Sequence, residues 1–143
     1  MNFSLDNVPT NARKPLEKLS RQAFIKKFYL AGGTAVALFF NHRRSDDLDF
    51  FSAESFQEPT LIKNLKKVGR FQNLKSAEDT LIGRLDGIKI SFSALPYALL
   101  EKPLKYKNLF VATPLDLALM KILAISDRGT KRVVCGGTNL RDC

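Results

Sequence analysis

One segment, Tyr29-Leu-Ala-Gly-Gly-Thr-Ala-Val-Ala-Leu-Phe-Phe-Asn-His-Arg-Arg-Ser-Asp-Asp-Leu-Asp-Phe-Phe51, constrains this chain more than any other. Phe28, Tyr29 and Leu30 read as a short strand that stops at Gly32-Gly33. Thr34 to His42 then reads as a helix and Leu48 to Phe51 as a second strand. A Gly-Gly turn carries no Cβ atoms, so a ligand can approach its backbone closely. The helix that follows points its free N–H groups and positive dipole end at the same spot, which suits a phosphate. On the second strand, period-2 alternation puts Asp47 and Asp49 on one face and Leu48 and Phe50 on the other. Two such carboxylates can hold divalent cations, and a pair of cations about 3.5–4 Å apart would flank an in-line phosphoryl displacement. Alone, Gly-Gly-Thr is a turn and Asp-x-Asp a solvated edge. The order strand, turn, helix, strand joins them into one candidate site.

The rest of the chain reads as a mixed α/β domain with hairpins, unlike the regular βαβ alternation of a doubly wound sheet. Arg13 to Lys27 carries Leu16, Leu19, Ala23 and Phe24 at helical spacing, with Pro15 in the first turn, where proline is tolerated. Glu58 or Pro59 opens a helix through Val68. Strands are expected at Arg70–Leu74, Thr80–Leu85 and Ile88–Phe92, the last two joined by the hairpin signal Asp86-Gly87. A short strand around Leu109–Val111 precedes Thr113-Pro114-Leu115-Asp116, with Thr at the N-cap, Pro at the first helical position and Asp at the third. That helix is expected to run to about Ile125. Phe39, Phe40, Phe50, Phe51 and Phe92 are read as core.

Composition narrows the partners. The chain has 143 residues, 45% hydrophobic and 26% charged, the size of one domain with a buried core. Its net charge of +9 points to nucleic acid, nucleotide phosphates or an acidic protein. Lys63, Lys66, Lys67, Arg70 and Lys75 read as a solvated helix face or as an RNA-backbone track. Lys102, Lys105 and Lys107, with Tyr106 among them, read as a second basic edge or a solvated loop. Cys135 and Cys143 are too few for a disulfide framework or a zinc site. The first twenty residues hold no apolar run, and Ala35 to Phe40 is far short of the roughly 20 residues of a membrane span. A cytoplasmic protein with reduced thiols and no membrane association is expected.

The run Gly32-Gly33-Thr34-Ala35, followed by His42-Arg43-x-Ser45-x-Asp47-Leu48-Asp49-Phe50-Phe51, resembles the signature of the AbiEii/AbiGii toxin family. These are nucleotidyltransferases of the DNA polymerase β-like superfamily, usually encoded next to an antitoxin. The resemblance covers about Leu16 to Arg132 and includes Lys121-Ile-Leu-Ala-Ile-Ser-Asp127-Arg128-Gly-Thr-Lys131-Arg132. It implies an α+β, nucleotidyltransferase-like fold, a small mixed sheet flanked by helices, over residues 1–132. It also implies an abortive-infection toxin that moves a nucleoside monophosphate from an NTP to an acceptor, RNA such as tRNA, with Mg2+ in a two-metal site and a cognate antitoxin as partner. On this resemblance Gly32, Gly33 and Thr34 hold the triphosphate, Asp47 and Asp49 bind the metals, and Lys121 neutralises phosphate charge. Arg43 and Ser45 would contact the nucleotide. From the residues alone, Arg43 and Arg44 could equally cap the helix C-terminus, and Ser45 could bond the local turn. His42, the one histidine, reads as structural or phosphate-adjacent.

The chain departs from the family's pattern in two places. Members often place a third carboxylate on a neighbouring strand, and here the corresponding strand, Gly87-Ile-Lys-Ile-Ser91-Phe-Ser93, offers serines. A serine hydroxyl is a poor base near pH 7. The Arg-Gly-Thr-Lys-Arg stretch then runs into Val133-Val-Cys-Gly-Gly-Thr-Asn-Leu-Arg-Asp-Cys143, which lacks helical periodicity. The expectation is a frameshifted or truncated end, which sequencing of the encoding DNA would test; within it, Gly136-Gly137-Thr138 reads as flexible tail. Two further readings follow: a truncated, catalytically inactive nucleotide- or RNA-binding module, and a plain basic RNA-binding domain.

Overall fold

The computed structural model describes residues 8, 10–40, 47–95 and 97–123. The Thr10–Ser20 helix (α1) buries Ala12, Leu16 and Leu19. It differs from the expected Arg13–Lys27 helix at both ends, and Pro15 sits inside it rather than in its first turn. Its last turn tightens through bonds from Arg21 N to the Lys18 carbonyl and from Gln22 N to the Leu19 carbonyl. The chain then passes through extended Gln22 into a short 3-10 helix, Ala23–Lys27. Ala23 and Phe24 keep a helical spacing, but periodicity cannot tell one continuous helix from two that are joined by a turn.

Strand β1 (Tyr29–Ala31) leads straight into α2 (Gly32–Phe40), and β2 (Leu48–Ser52) follows. The helix starts two residues before the expected Thr34, because Gly32 and Gly33 form its first turn and not a turn ahead of it. Helix α3 is Glu58–Val68, as its Pro59 start and apolar Leu61 and Leu65 indicate. Strands β3 (Phe71–Ala77), β4 (Thr80–Leu85) and β5 (Ile88–Ala94) form a meander. Asp86 and Gly87 turn β4 into β5 with φ of +52° and +87°, the left-handed pair a two-residue hairpin requires. Strand β3 runs three residues past its expected end, because a second tight turn with Asp79 at φ +59° keeps it paired with β4 to Ala77. Lys105 and Tyr106 belong to an unexpected strand, β6 (Leu104–Tyr106), paired with β7 (Leu109–Val111). A fourth helix, α4, covers 114–123. Phe40's side chain, residues 41–46 with His42, Arg43, Arg44 and Ser45, and residues 124–143 with both cysteines and the 133–143 tail lie outside what is described.

The seven strands form one mixed sheet in the order β3-β4-β5-β2-β1-β7-β6. Register sorts their side chains onto two faces. Leu30, Phe50, Phe92 and Leu81 stand in one row across β1, β2, β5 and β4, and all are fully buried. Phe50 and Phe92 stack with ring centroids 5.2 Å apart. Leu48, Leu85, Ile90 and Val111 complete this covered face, against which Leu61 and Leu65 of α3 and Leu16 and Leu19 of α1 pack in one core. Phe39 and Phe51 are only partly buried against the core cluster. On the opposite face Tyr29 and Ala31 of β1 are buried, whereas Asp49, Phe51, Lys89, Ser91, Ile82 and Arg84 of β2, β5 and β4 are not.

Polar ties hold the periphery. Glu17 of α1 accepts from Tyr106 Oη at 2.8 Å and pairs with Lys107 at 2.5 Å, so Lys107 is spent on packing and does not belong to a free basic edge. Asp116, at the start of α4, is fully buried and accepts from Tyr97 Oη, Leu100 N and Glu101 N at 2.9–3.0 Å. It thereby pins the segment over 97–101 to the helix. Among the described residues no helix is long and apolar enough to cross a membrane.

Candidate active site

The Gly-Gly start of α2 and the acidic strand meet because β1 and β2 are antiparallel neighbours, with Ala31 level with Asp49. Gly32 follows Ala31 with φ of +73°. A Cβ at this position would lie 2.5 Å from Asp49 Oδ2. Both the backbone angle and the space therefore demand glycine at the first residue of α2, beside the carboxylate. Thr34, in the first turn of α2, is fully buried, and its hydroxyl donates to the Asp47 carbonyl at 2.5 Å. That bond fastens the N-terminal turn of α2 to the residue just ahead of β2. Asp47 is half-buried there, outside the strand proper.

On the other side of β2 runs β5, parallel, with Ser91 level with Asp49. Ser91 Oγ donates to Asp49 Oδ1 at 2.8 Å. Partial burial holds the Asp49 carboxyl above its ordinary value, and the negative charge of Asp47 pushes the same way. The Ser91 hydrogen bond and the nearby Lys89 charge oppose this without cancelling it. Two carboxylates at close quarters, one of them disfavoured as an anion, are a donor set that a hard divalent cation would neutralise with oxygen ligands. Among the described residues no third His, Cys, Asp or Glu joins them in a metal-holding cluster.

Gly32, Gly33, Thr34, Asp47 and Asp49 thus belong to one β1–α2–β2 corner. Lys121 is on α4, exposed, and makes no hydrogen bond or ion pair among the described residues. Two clefts, of about 420 and 360 Å3, lie elsewhere; one includes Phe24, Phe56 and Thr60 and the other Lys27, Tyr29 and Tyr97. Neither includes Asp47 or Asp49. The sequence reading missed Lys89. Alternation along β5 places it on the face of Ser91, but only the β2–β5 pairing brings it to Asp49.

Residues 16–97 match the family model described as nucleotidyl transferase AbiEii toxin, type IV TA system. An uncharacterized protein of Aquifex aeolicus (strain VF5) is 43% identical over 124 residues, which cover 84% of this chain and 60% of that relative. The chain therefore spans about three fifths of the relative's length.

Proposed function

We infer the function of this chain from its family: it belongs to the AbiEii nucleotidyl transferase toxins of type IV toxin–antitoxin systems. Our reading is a toxin that transfers a nucleoside monophosphate from an NTP to an acceptor, RNA such as tRNA, and whose partner is a cognate antitoxin. The observation that carries it is the closeness of the Gly32 start of α2 to the Asp49 carboxylate, which suits a backbone phosphate cradle beside a cation-holding acid. Asp47 and Asp49 would hold Mg2+, which supplies charge neutralisation at the phosphoryl oxygens and acidifies the attacking hydroxyl.

The protein's own groups position the reactants. Gly32 and Gly33 offer backbone N–H groups at the start of α2 to the triphosphate. Thr34, bonded to the Asp47 carbonyl, orients that residue relative to the cradle. Ser91 holds one oxygen of Asp49 and leaves Oδ2 toward Gly32. Arg43 and Ser45 are proposed as nucleotide contacts, and Lys121 as a cation for the phosphates. A labelled NTP, magnesium and tRNA, incubated with wild type and with Asp47→Ala plus Asp49→Ala, provide the test. The expected result is RNA labelling that falls by roughly 100-fold or more in the double variant; equal labelling would overturn the reading.

One observation favours a second reading, a module that binds nucleotide without turnover. Ser91 stands beside Asp49 where an acid could have completed the site. A rise in melting temperature with Mg-NTP, without any label transfer, would identify that case.

A further inference from the structure

Over β3 to β5, the face of the sheet that bears Asp49 is exposed and carries three cations. Arg84 and Lys89 are cross-strand partners in the β4–β5 hairpin. Lys75 is level with Ile82, Ile82 with Ser91, and Ser91 with Asp49. Strand spacing and rise place the Cα of Lys89 about 8 Å from that of Asp49, Arg84 about 12 Å and Lys75 about 14 Å. All three are exposed, and none makes a hydrogen bond or ion pair among the described residues. The other residues of β3 to β5 on this face are Gln72, Ala77, Thr80, Ile82, Ser91 and Ser93, with no acid among them. The lysines of α3 are placed differently. Leu61 and Leu65 pack that helix into the core on the covered face, so Lys63, Lys66 and Lys67 lie across the sheet from Asp49.

We propose that Lys75, Arg84 and Lys89 form a phosphate track along which the backbone of a single-stranded RNA acceptor lies as its end reaches Asp49. The proposal rests on the nucleotidyl-transfer reading. Cations spread over strands β3 to β5 suit the successive phosphates of a strand, whereas one triphosphate needs its cations to converge. The triphosphate's proposed cradle, at Gly32 and Gly33, is also on the β1 side of Asp49, and the track is on the β5 side. Charge complementarity, with no acid among the β3 to β5 strand residues of this face, makes it a path for the RNA backbone.

The test is binding of a short mixed-sequence single-stranded RNA to the full chain across a salt series, followed by fluorescence anisotropy. Arg84→Gln plus Lys89→Gln is compared with Lys66→Gln plus Lys67→Gln, which removes the same charge from α3. Loss of two phosphate contacts lowers the slope of log K against log salt by about 1.4, roughly 25-fold in affinity at 0.1 M if the curves meet at 1 M. The α3 pair is expected to keep the wild-type slope, and thermal melting to show all three proteins folded. Equal losses in the two pairs would mean attraction by net charge alone and would overturn the track. Mg-NTP affinity falling as steeply as RNA affinity would overturn it too, by assigning the cations to the triphosphate. Label transfer is read separately: its absence in wild type with the slope change intact removes the enzyme reading alone, and its presence with an unchanged slope removes the track alone.

Discussion

At Gly32 two independent constraints fall on one residue. The left-handed backbone costs a side-chain-bearing residue about 1–2 kcal/mol, and a Cβ would collide with the Asp49 carboxylate. Gly32→Ala is therefore expected to lower stability by about that amount or more and to displace Asp49. Thermal unfolding would show the first effect, and loss of RNA labelling out of proportion to the unfolded fraction would show the second. The glycine pair and the Asp-x-Asp were both legible, because each is a local pattern with its own conformational requirement. That Ser91 hydrogen-bonds Asp49 was not legible from spacing. The two residues are 42 apart, and parallel pairing of β2 with β5 is a product of the whole sheet.

At the scale of elements, the start of α4 was readable and its second task was not. Thr113-Pro114-Leu115-Asp116 is a well-formed helix start, and α4 begins there. Yet the Asp116 carboxylate turns away from the helix to fasten the 97–101 segment. Burial alone would raise its carboxyl, but the Leu100 and Glu101 N–H groups, with the Tyr97 and Thr113 hydroxyls, outweigh that and hold it below its ordinary value. A depressed folded value means stabilisation that is present above the unfolded value, about 3.9, and is lost as pH falls through the folded one. Asp116→Asn, which sets an amide against a backbone donor, should cost about 1–3 kcal/mol at pH 7. The gap to wild type should close as the pH drops below about 4. Melting curves of both proteins across that range check the sign. Other misreadings at this scale share one cause. The break after Ser20 and the three-residue β6 are shorter than the window over which periodicity carries information.

Over the whole molecule, the sheet divides labour between its faces. Phe92 is buried between Phe50 and Phe28, with ring centroids 5.2 and 4.9 Å away, so Phe92→Ala should cost about 3–5 kcal/mol. Lys89→Gln, three residues earlier on the same strand, should change stability by less than about 0.5 kcal/mol. Chemical denaturation of the two variants would show whether the faces are as unlike as the register implies. The sequence by itself determined the strand, helix, strand order of the β1–α2–β2 corner, the Asp86-Gly87 hairpin, the sizes of most elements and the surplus positive charge. All of these depend on residues close in the chain, through backbone angles, alternation or composition. Only the tertiary structure decided which strands are neighbours, and so which cations share a face with Asp49. The lysines of α3 and those of the open face are indistinguishable by composition, and packing of Leu61 and Leu65 into the core puts a sheet between them. Charge is counted along the chain, but a charge acts on a site only from the side of the sheet that it occupies.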